Sequence, residues 1–219
     1  MDMKEVKTMR SSYDELRELV KKKWPESLSA ASERSDRVFA TGMDAFDSLF
    51  PGKGIPLGQL VEITGSLSSG KTSFLFRILA ALTKKQIAAY LDFSNSFFPS
   101  AAESSGIDLS RILIVKSNDI REGLRAAELI LRHEIASCIV FDLVKSRGIL
   151  PLAMMHRLRQ KTLKAGSIII FLTENNSEII PTSMIALRIE IERIGSTRLV
   201  ATVTKSRISK KGFRVELVA

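Results

Sequence analysis

A mainly parallel α/β sheet flanked by helices, with antiparallel strands at one edge, is the fold class that this chain of 219 residues predicts. Three observations carry that expectation. Short apolar runs alternate with amphipathic stretches from about residue 38 to residue 172. One of these runs, LVEIT at 60–64, leads straight into the glycine-framed segment GSLSSGKT at 65–72. Past residue 185 the apolar period changes to two. At 45% hydrophobic content the chain can bury a substantial core, and its length suits one domain with a small appendage.

The appendage is residues 1–37. SSYDELRELVKKK at 11–23 sets Tyr13, Leu16, Leu19 and Val20 on one helical face, and Pro25 ends the helix because it disfavours helical geometry at Trp24. ESLSAASERSDR follows as a polar linker, leaving 38–219 as the core. Buried strands are expected at 60–64, 87–92, 112–115, 138–142 and 167–172, and helices at 73–84, 119–134 and 151–164. Asp119 can cap the second helix, with Glu122 completing a capping box. In the third, Leu152, Met155 and Leu158 are expected to face the core, and Arg157, Lys161 and Lys164 to run along the other side. IALRIEIER then alternates Leu187, Ile189 and Ile191 with Arg188, Glu190 and Glu192. RLVATVTKS and GFRVELV continue as strands joined by a turn at 210–212, and all three are expected to be antiparallel at the sheet's edge.

The formal net charge is +9 and unevenly placed: Asp142 and Glu174 enclose a stretch with no acid but with Lys145, Arg147, Arg157, Arg159, Lys161 and Lys164. A polyanion is a fitting partner for such a chain. The single cysteine, Cys138, lies in an apolar run, which excludes a disulfide framework and suits a reducing, cytoplasmic setting. No run approaches the roughly 18 apolar residues of a membrane span, so no membrane role is expected. His133 and His156 read as surface residues.

Gly65, Ser66, Leu67, Ser68, Ser69, Gly70, Lys71, Thr72 and Ser73 are the candidate nucleotide-binding residues. The two glycines let the backbone turn so that successive N–H groups face phosphate oxygens, at the positive end of the following helix. Lys71 would reach the terminal phosphates and the Thr72 hydroxyl would take a place on Mg²⁺. Open parallel sheets present ligands to the carboxyl ends of their strands. Asp142, ending CIVFD, is therefore the candidate holder of the metal's water shell; Asp92 and Glu174 end two further strands.

The segment ATGMDAFDSLFPGKGIPLGQLVEITGSLSSGKTS resembles the RecA recombinase family, as do AAYLDFSNSFFPSAAESSGIDLSRILIV, CIVFD and, more weakly, the late strands RIEIERIG and VTKSRI. The resemblance covers about residues 38–218 and implies a phosphate-loop ATPase core with ATP and Mg²⁺. Within it, the position of the water-activating Glu is Ser94, and the γ-phosphate-sensing Gln falls at Glu174. Hydrolysis is expected to be weak unless another acid, Glu174 or Glu103, substitutes. Lys205 and Arg207 match the pair of cations that completes the neighbouring subunit's ATP site, which implies self-association with ATP at the interface. DNA, single-stranded above all, is the implied partner at the short loops near 145–150 and 175–183 and at Lys145, Arg147, Arg157, Lys161 and Lys164. The reduced form resembles the ImuA-like accessory proteins of translesion synthesis, which adds repair proteins or polymerases as partners and a DNA-damage, SOS-type setting. A strand-exchange recombinase and a phosphate-loop kinase remain as alternatives.

Overall fold

The computed structural model describes residues 38–146, 148–196, 198–209 and 212–218, together with Lys22. The predicted N-terminal arm, Arg147 and the 210–211 part of the predicted turn lie outside the described residues. Strands β1 (Val38–Phe39) and β2 (Ile55–Pro56) pair antiparallel on either side of the one-turn helix α1 (Asp44–Asp47), a small sheet that no alternation in the sequence announces. The turn into α1 is held by buried Asp47, whose carboxylate accepts from the Thr41 N–H at 2.9 Å and the Thr41 hydroxyl at 2.8 Å.

Then comes the alternating core: β3 (Leu60–Gly65), α2 (Lys71–Thr83), β4 (Ala88–Asp92), α3 (Pro99–Ser104), β5 (Ile112–Lys116), α4 (Ile120–Arg132), β6 (Cys138–Asp142), α5 (Leu152–Ala165), β7 (Ile168–Glu174), β8 (Leu187–Ile194), β9 (Arg198–Ser206) and β10 (Arg214–Val218). The eight-stranded sheet runs β10-β9-β8-β3-β7-β6-β4-β5. β3 and β7, β7 and β6, β6 and β4, and β4 and β5 all pair parallel.

The parallel strands read as unbroken apolar runs because both of their faces are covered. Val61, Ile63, Tyr90 and Val140 meet Phe74, Leu75, Ile78 and Leu79 of α2 in one core. Leu60, Leu91, Ile139, Phe141 and Phe171 meet Leu124 and Leu131 of α4 and Met155 and Leu158 of α5 in the other. Each such side chain contributes about 1.5–3 kcal/mol on burial, so the sheet is a rigid platform for the loops at its carboxyl edge.

Four expectations change. β8 pairs parallel with β3 and antiparallel only with β9, so the antiparallel edge begins one strand later than its alternation suggested. Period-two alternation reports one covered face, and either strand direction is compatible with that. Leu152 is 49% exposed rather than core-facing. Steps of three residues lag the helical repeat by about 60° each, so a residue two such steps before Leu158 has turned off the core. Asp119 does cap α4, accepting from the Arg121 N–H at 2.8 Å, but Glu122 does not close a capping box. The Ser117 hydroxyl stands between them, donating to Glu122 at 3.0 Å and accepting from the Asp119 N–H at 3.1 Å. Lastly, Arg157 and Lys161 are not free on α5: both bind Glu128 of α4.

Candidate nucleotide site

The phosphate loop joins β3 to α2, and the helix begins at Lys71, two residues earlier than its apolar pattern suggested. Gly70 caps it in the left-handed region at φ 86°. A side chain there would also collide with Leu199, and one at Gly65 would collide with the Ser69 hydroxyl and the Ile191 carbonyl. Both glycines are therefore demanded by close approach, not by turn formation alone. Ser69 is buried, and its hydroxyl oxygen is, among the described residues, the buried side-chain polar atom with no hydrogen-bond partner. A native orphan of this kind is a mark of a polar ligand's place. Thr72 and Ser73 lie exposed on the first turn.

Lys71 is 5% exposed and folds back over the loop, donating to the Gly65 and Ser66 carbonyls at 3.1 and 2.9 Å. Burial lowers its pKa, while the charges of Glu174 and Asp142 oppose that fall. The ammonium thus stands within the field of both carboxylates. Glu174 enters by register: Gly65 of β3 lies opposite Glu174 of β7. Beside it, the Thr64 hydroxyl reaches Asn175 Oδ1 at 3.3 Å.

Asp142 is 2% exposed at the end of β6. Its Oδ2 accepts from the Tyr90 hydroxyl at 2.7 Å and from Ser96 Oγ at 2.6 Å, and its Oδ1 accepts only the longer Val144 N–H bond at 3.2 Å. Oδ1 is therefore the atom with lone pairs to spare for a metal's water. Burial and then the Asp142 charge raise the Tyr90 pKa far above its ordinary value, so the phenol stays protonated and donating. Tyr90 and Ser96 join Asp142 in the candidate site, and sequence reasoning missed both. The available signal was Tyr90 itself, a hydroxyl in an otherwise apolar buried strand, which needs an acceptor.

Asp92 does different work. It accepts from the backbone N–H groups of Ser94, Ser96 and Phe97 at 3.3, 3.0 and 3.1 Å and so folds the loop after β4. Ser94 Oγ donates to Ser96 Oγ at 2.8 Å, and Ser96 donates onward to Asp142. Ser94, where the resemblance implies a Glu, thus opens a hydroxyl chain that ends on Asp142. Glu103 stands exposed on α3, and the carboxylates that act on Lys71 are Glu174 and Asp142.

Lys205 and Arg207 are not brought to this loop. The end of β9 lies opposite Leu187, the start of β8, which runs alongside β3 from its amino end; the phosphate loop leaves β3 at the other. Lys205 Nζ donates to the Thr182 carbonyl, and Arg207 donates to the Ser183 carbonyl at 2.6 Å. Another cation, Arg193 at the end of β8, does reach the loop, donating to the Ser68 carbonyl at 3.2 Å. Its alternating strand gave no sign of this.

The two loops expected to meet DNA enclose a cavity of about 510 Å³ lined by Lys145, Ile149, Glu174, Asn175 and Glu178 among others. They are tied together by a bond from the Leu150 N–H to the Ile179 carbonyl at 2.7 Å. Among the described residues no helix is long and apolar enough to cross a membrane.

The sequence pattern of the RecA N-terminal domain matches residues 27–156. Curated relatives include Protein RecA of Rhodopirellula baltica, 31% identical over 118 residues, which is 53% of this chain and 32% of that protein. Protein RecA of Bifidobacterium longum is 32% identical over 113 residues, covering 51% of this chain and 28% of that protein. Protein RecA of Lactobacillus delbrueckii subsp. bulgaricus is 33% identical over 116 residues, covering 51% and 35%. The matched stretch thus spans about a third of each relative's length. Among solved structures, the RadB recombinase superposes with a TM-score of 0.66 at 18% identity, over 81% of this chain and 94% of that one, a likeness of fold.

Proposed function

We propose, from the premise that this chain belongs to the RecA N-terminal domain family, that it is an ATP-binding protein of DNA repair or damage tolerance that holds its nucleotide and cleaves it slowly. The observation that carries this reading is the contrast between a complete phosphate loop, with orphaned Ser69 Oγ and folded-back Lys71, and the hydroxyl chain at Ser94. The residues present fit the triphosphate and its metal. Gly65 to Ser73 would cradle the phosphates, Lys71 would exchange its loop carbonyls for phosphate oxygens, and Thr72 with Asp142 would hold Mg²⁺. That ion would supply charge neutralisation for the phosphates.

Slow cleavage follows from what Ser94 can do. A hydroxyl is a poor base near neutral pH, and its proton is directed to Ser96. A positioned general base is worth about 10²–10⁴-fold in rate. Glu174 would repel the γ phosphate unless Lys71 or the metal compensates, which favours it as a sensor of charge over a base.

Lys205 and Arg207 stand away from their own loop: Lys205 lies level with Glu62, about 10 Å short of the loop end of β3 and two strands across, and both side chains are turned to the Thr182 and Ser183 carbonyls. They would meet a nucleotide only across an interface between copies, so ATP would govern assembly. In this reading the core is 38–219, and the arm 1–37, which apart from Lys22 lies outside the described residues, would either fold back on that core or dock on a neighbour; repair proteins or polymerases would be the further partners. The missing Glu and the tied loops favour the accessory role of ImuA-like proteins over strand exchange. Equilibrium binding of a fluorescent ATP analogue, with and without Mg²⁺, tests the reading: the parent should bind and Lys71→Ala should not. Equal binding by both would refute the phosphate-loop assignment.

A further inference from the structure

The loop pair at 143–149 and 174–179 makes a poor landing place for a polyanion. In sequence it carries Lys145 and Arg147 against Glu174 and Glu178, so its charges balance rather than build a basic surface. The basic residues gather elsewhere, on the outer side of the sheet face that α4 and α5 cover.

Along α4, the buried residues Leu124, Ala127, Ile130 and Leu131 define the core side. At about 100° per residue, Arg121, Arg125, Glu128 and Arg132 fall within one arc of about 60° on a flank of that helix. Along α5, Met155, Leu158 and Thr162 are buried, and Arg157, Lys161 and Lys164 share a second flank. The two flanks face each other. Arg157 Nε reaches Glu128 Oε1 at 2.5 Å and Lys161 Nζ reaches Glu128 Oε2 at 2.7 Å. Six cations therefore line the two facing flanks, with Glu128 the acid between them that Arg157 and Lys161 share. Arg121, Arg125, Arg132 and Lys164 form no ion pair with a described residue. Arg121 and Arg125 are spaced i, i+4, an arrangement that costs a helix a few tenths of a kcal/mol when nothing anionic sits over it.

We infer that this α4–α5 ridge, rather than the loop pair, is the chain's principal contact for the phosphate backbone of nucleic acid. Two cationic rows stand about 8–10 Å apart, as packed helices do. The longer row, Arg121 to Arg132, runs about 16 Å, the axial rise of about five nucleotides in one strand. Guanidinium groups dominate that row, and their fork matches phosphate oxygens in pairs. Glu128 positions the inner cations and keeps Arg157 and Lys161 from repelling each other. No Phe, Tyr or Trp lies on either helix to stack on bases, so the contact is to the phosphate backbone and binding is expected to depend little on sequence. The inference rests on the proposed role in DNA repair but not on the nucleotide site.

The test is fluorescence anisotropy of labelled oligothymidylate and of a labelled duplex against the full chain, across a salt series. The variants are Arg121→Gln/Arg125→Gln/Arg132→Gln, Lys164→Gln and Lys145→Ala. Thermal melting and ATP-analogue binding serve as controls and should stay at parental levels. The triple variant is expected to bind about tenfold or more weakly near 100 mM salt, with a salt slope shallower by about two units on the single strand. Lys164→Gln should lose roughly a third of that slope change, and Lys145→Ala almost none. Parental affinity and slope in the triple variant, with binding lost in Lys145→Ala, would move the contact to the loops and overturn the ridge while leaving the role in repair. A parent that binds neither oligonucleotide but binds phosphatidylserine vesicles or an acidic peptide would overturn both.

Discussion

The loop after β3 and the loop after β4 leave the same edge of one sheet, yet they treat their polar groups in opposite ways. After β3, the backbone is pinned by two glycines, a lysine waits on carbonyls it can exchange, and a serine hydroxyl has no protein partner. After β4, the acid and the hydroxyls are tied within the protein: Asp92 accepts from three backbone N–H groups, Ser94 donates to Ser96, and Ser96 donates to Asp142. The difference shows how the proposed reading separates holding a triphosphate from cutting it: the first rests on the loop after β3, and the second is weakened at Ser94, two residues past the end of β4.

The strongest way to break that comparison is Lys71→Ala. It should weaken ATP binding by about 100-fold or more, to below detection at concentrations that saturate the parent, with the melting temperature little changed. Calorimetric titration reads it, and a small loss would mean that the loop after β3 is no more committed to phosphate than its neighbour. Ser94→Glu sharpens the contrast from the other side. Restoring a carboxylate should raise turnover by about tenfold or more if a base is all that is missing; unchanged single-turnover rates would assign the block to Glu174 or to the water's position.

Tyr90→Phe tests the consumed network itself. Removing the donor from Asp142 should cost about 1.5–3 kcal/mol of stability, measured by urea unfolding, because a buried carboxylate loses a charge-assisted bond. A neutral result would mean that Ser96 alone satisfies Asp142. The smallest effect concerns Glu128, whose burial would raise its pKa but is outweighed by Lys161 and Arg157, which hold it below its ordinary value. A depressed carboxylate stabilises the fold above its unfolded pKa and loses that contribution as pH falls through its folded pKa. Glu128→Gln should therefore flatten the acid limb of the stability profile by less than about 1 kcal/mol, since the pair is partly exposed.

The shape of the loop after β3 was legible because its glycines fix both residue type and spacing, and the place of Asp142 because it directly follows a buried apolar run. The parallel core strands and the cap at Asp119 were legible for the same local reasons. What stayed hidden depends on neighbours distant in sequence. The bond from Tyr90 to Asp142 joins adjacent strands 52 residues apart, and Glu128 captures cations from the next helix. The serine chain could not be read either, because a hydroxyl's partner is set by loop shape rather than by its spacing. The pairing of β8 followed a similar logic, since a strand's alternation records burial and not direction.

The central claim is that the nucleotide is held more readily than it is cut. The direct measurement is ATP binding and steady-state hydrolysis on the same preparation, with and without single-stranded DNA, using Lys71→Ala as the blank. The account predicts saturable binding by the parent, none by the variant, and hydrolysis near the blank in both DNA conditions. Strong DNA-stimulated turnover by the parent would contradict it, and would mean that Asp142, through Ser96 and Ser94, or Glu174 supplies the base that Ser94 alone does not.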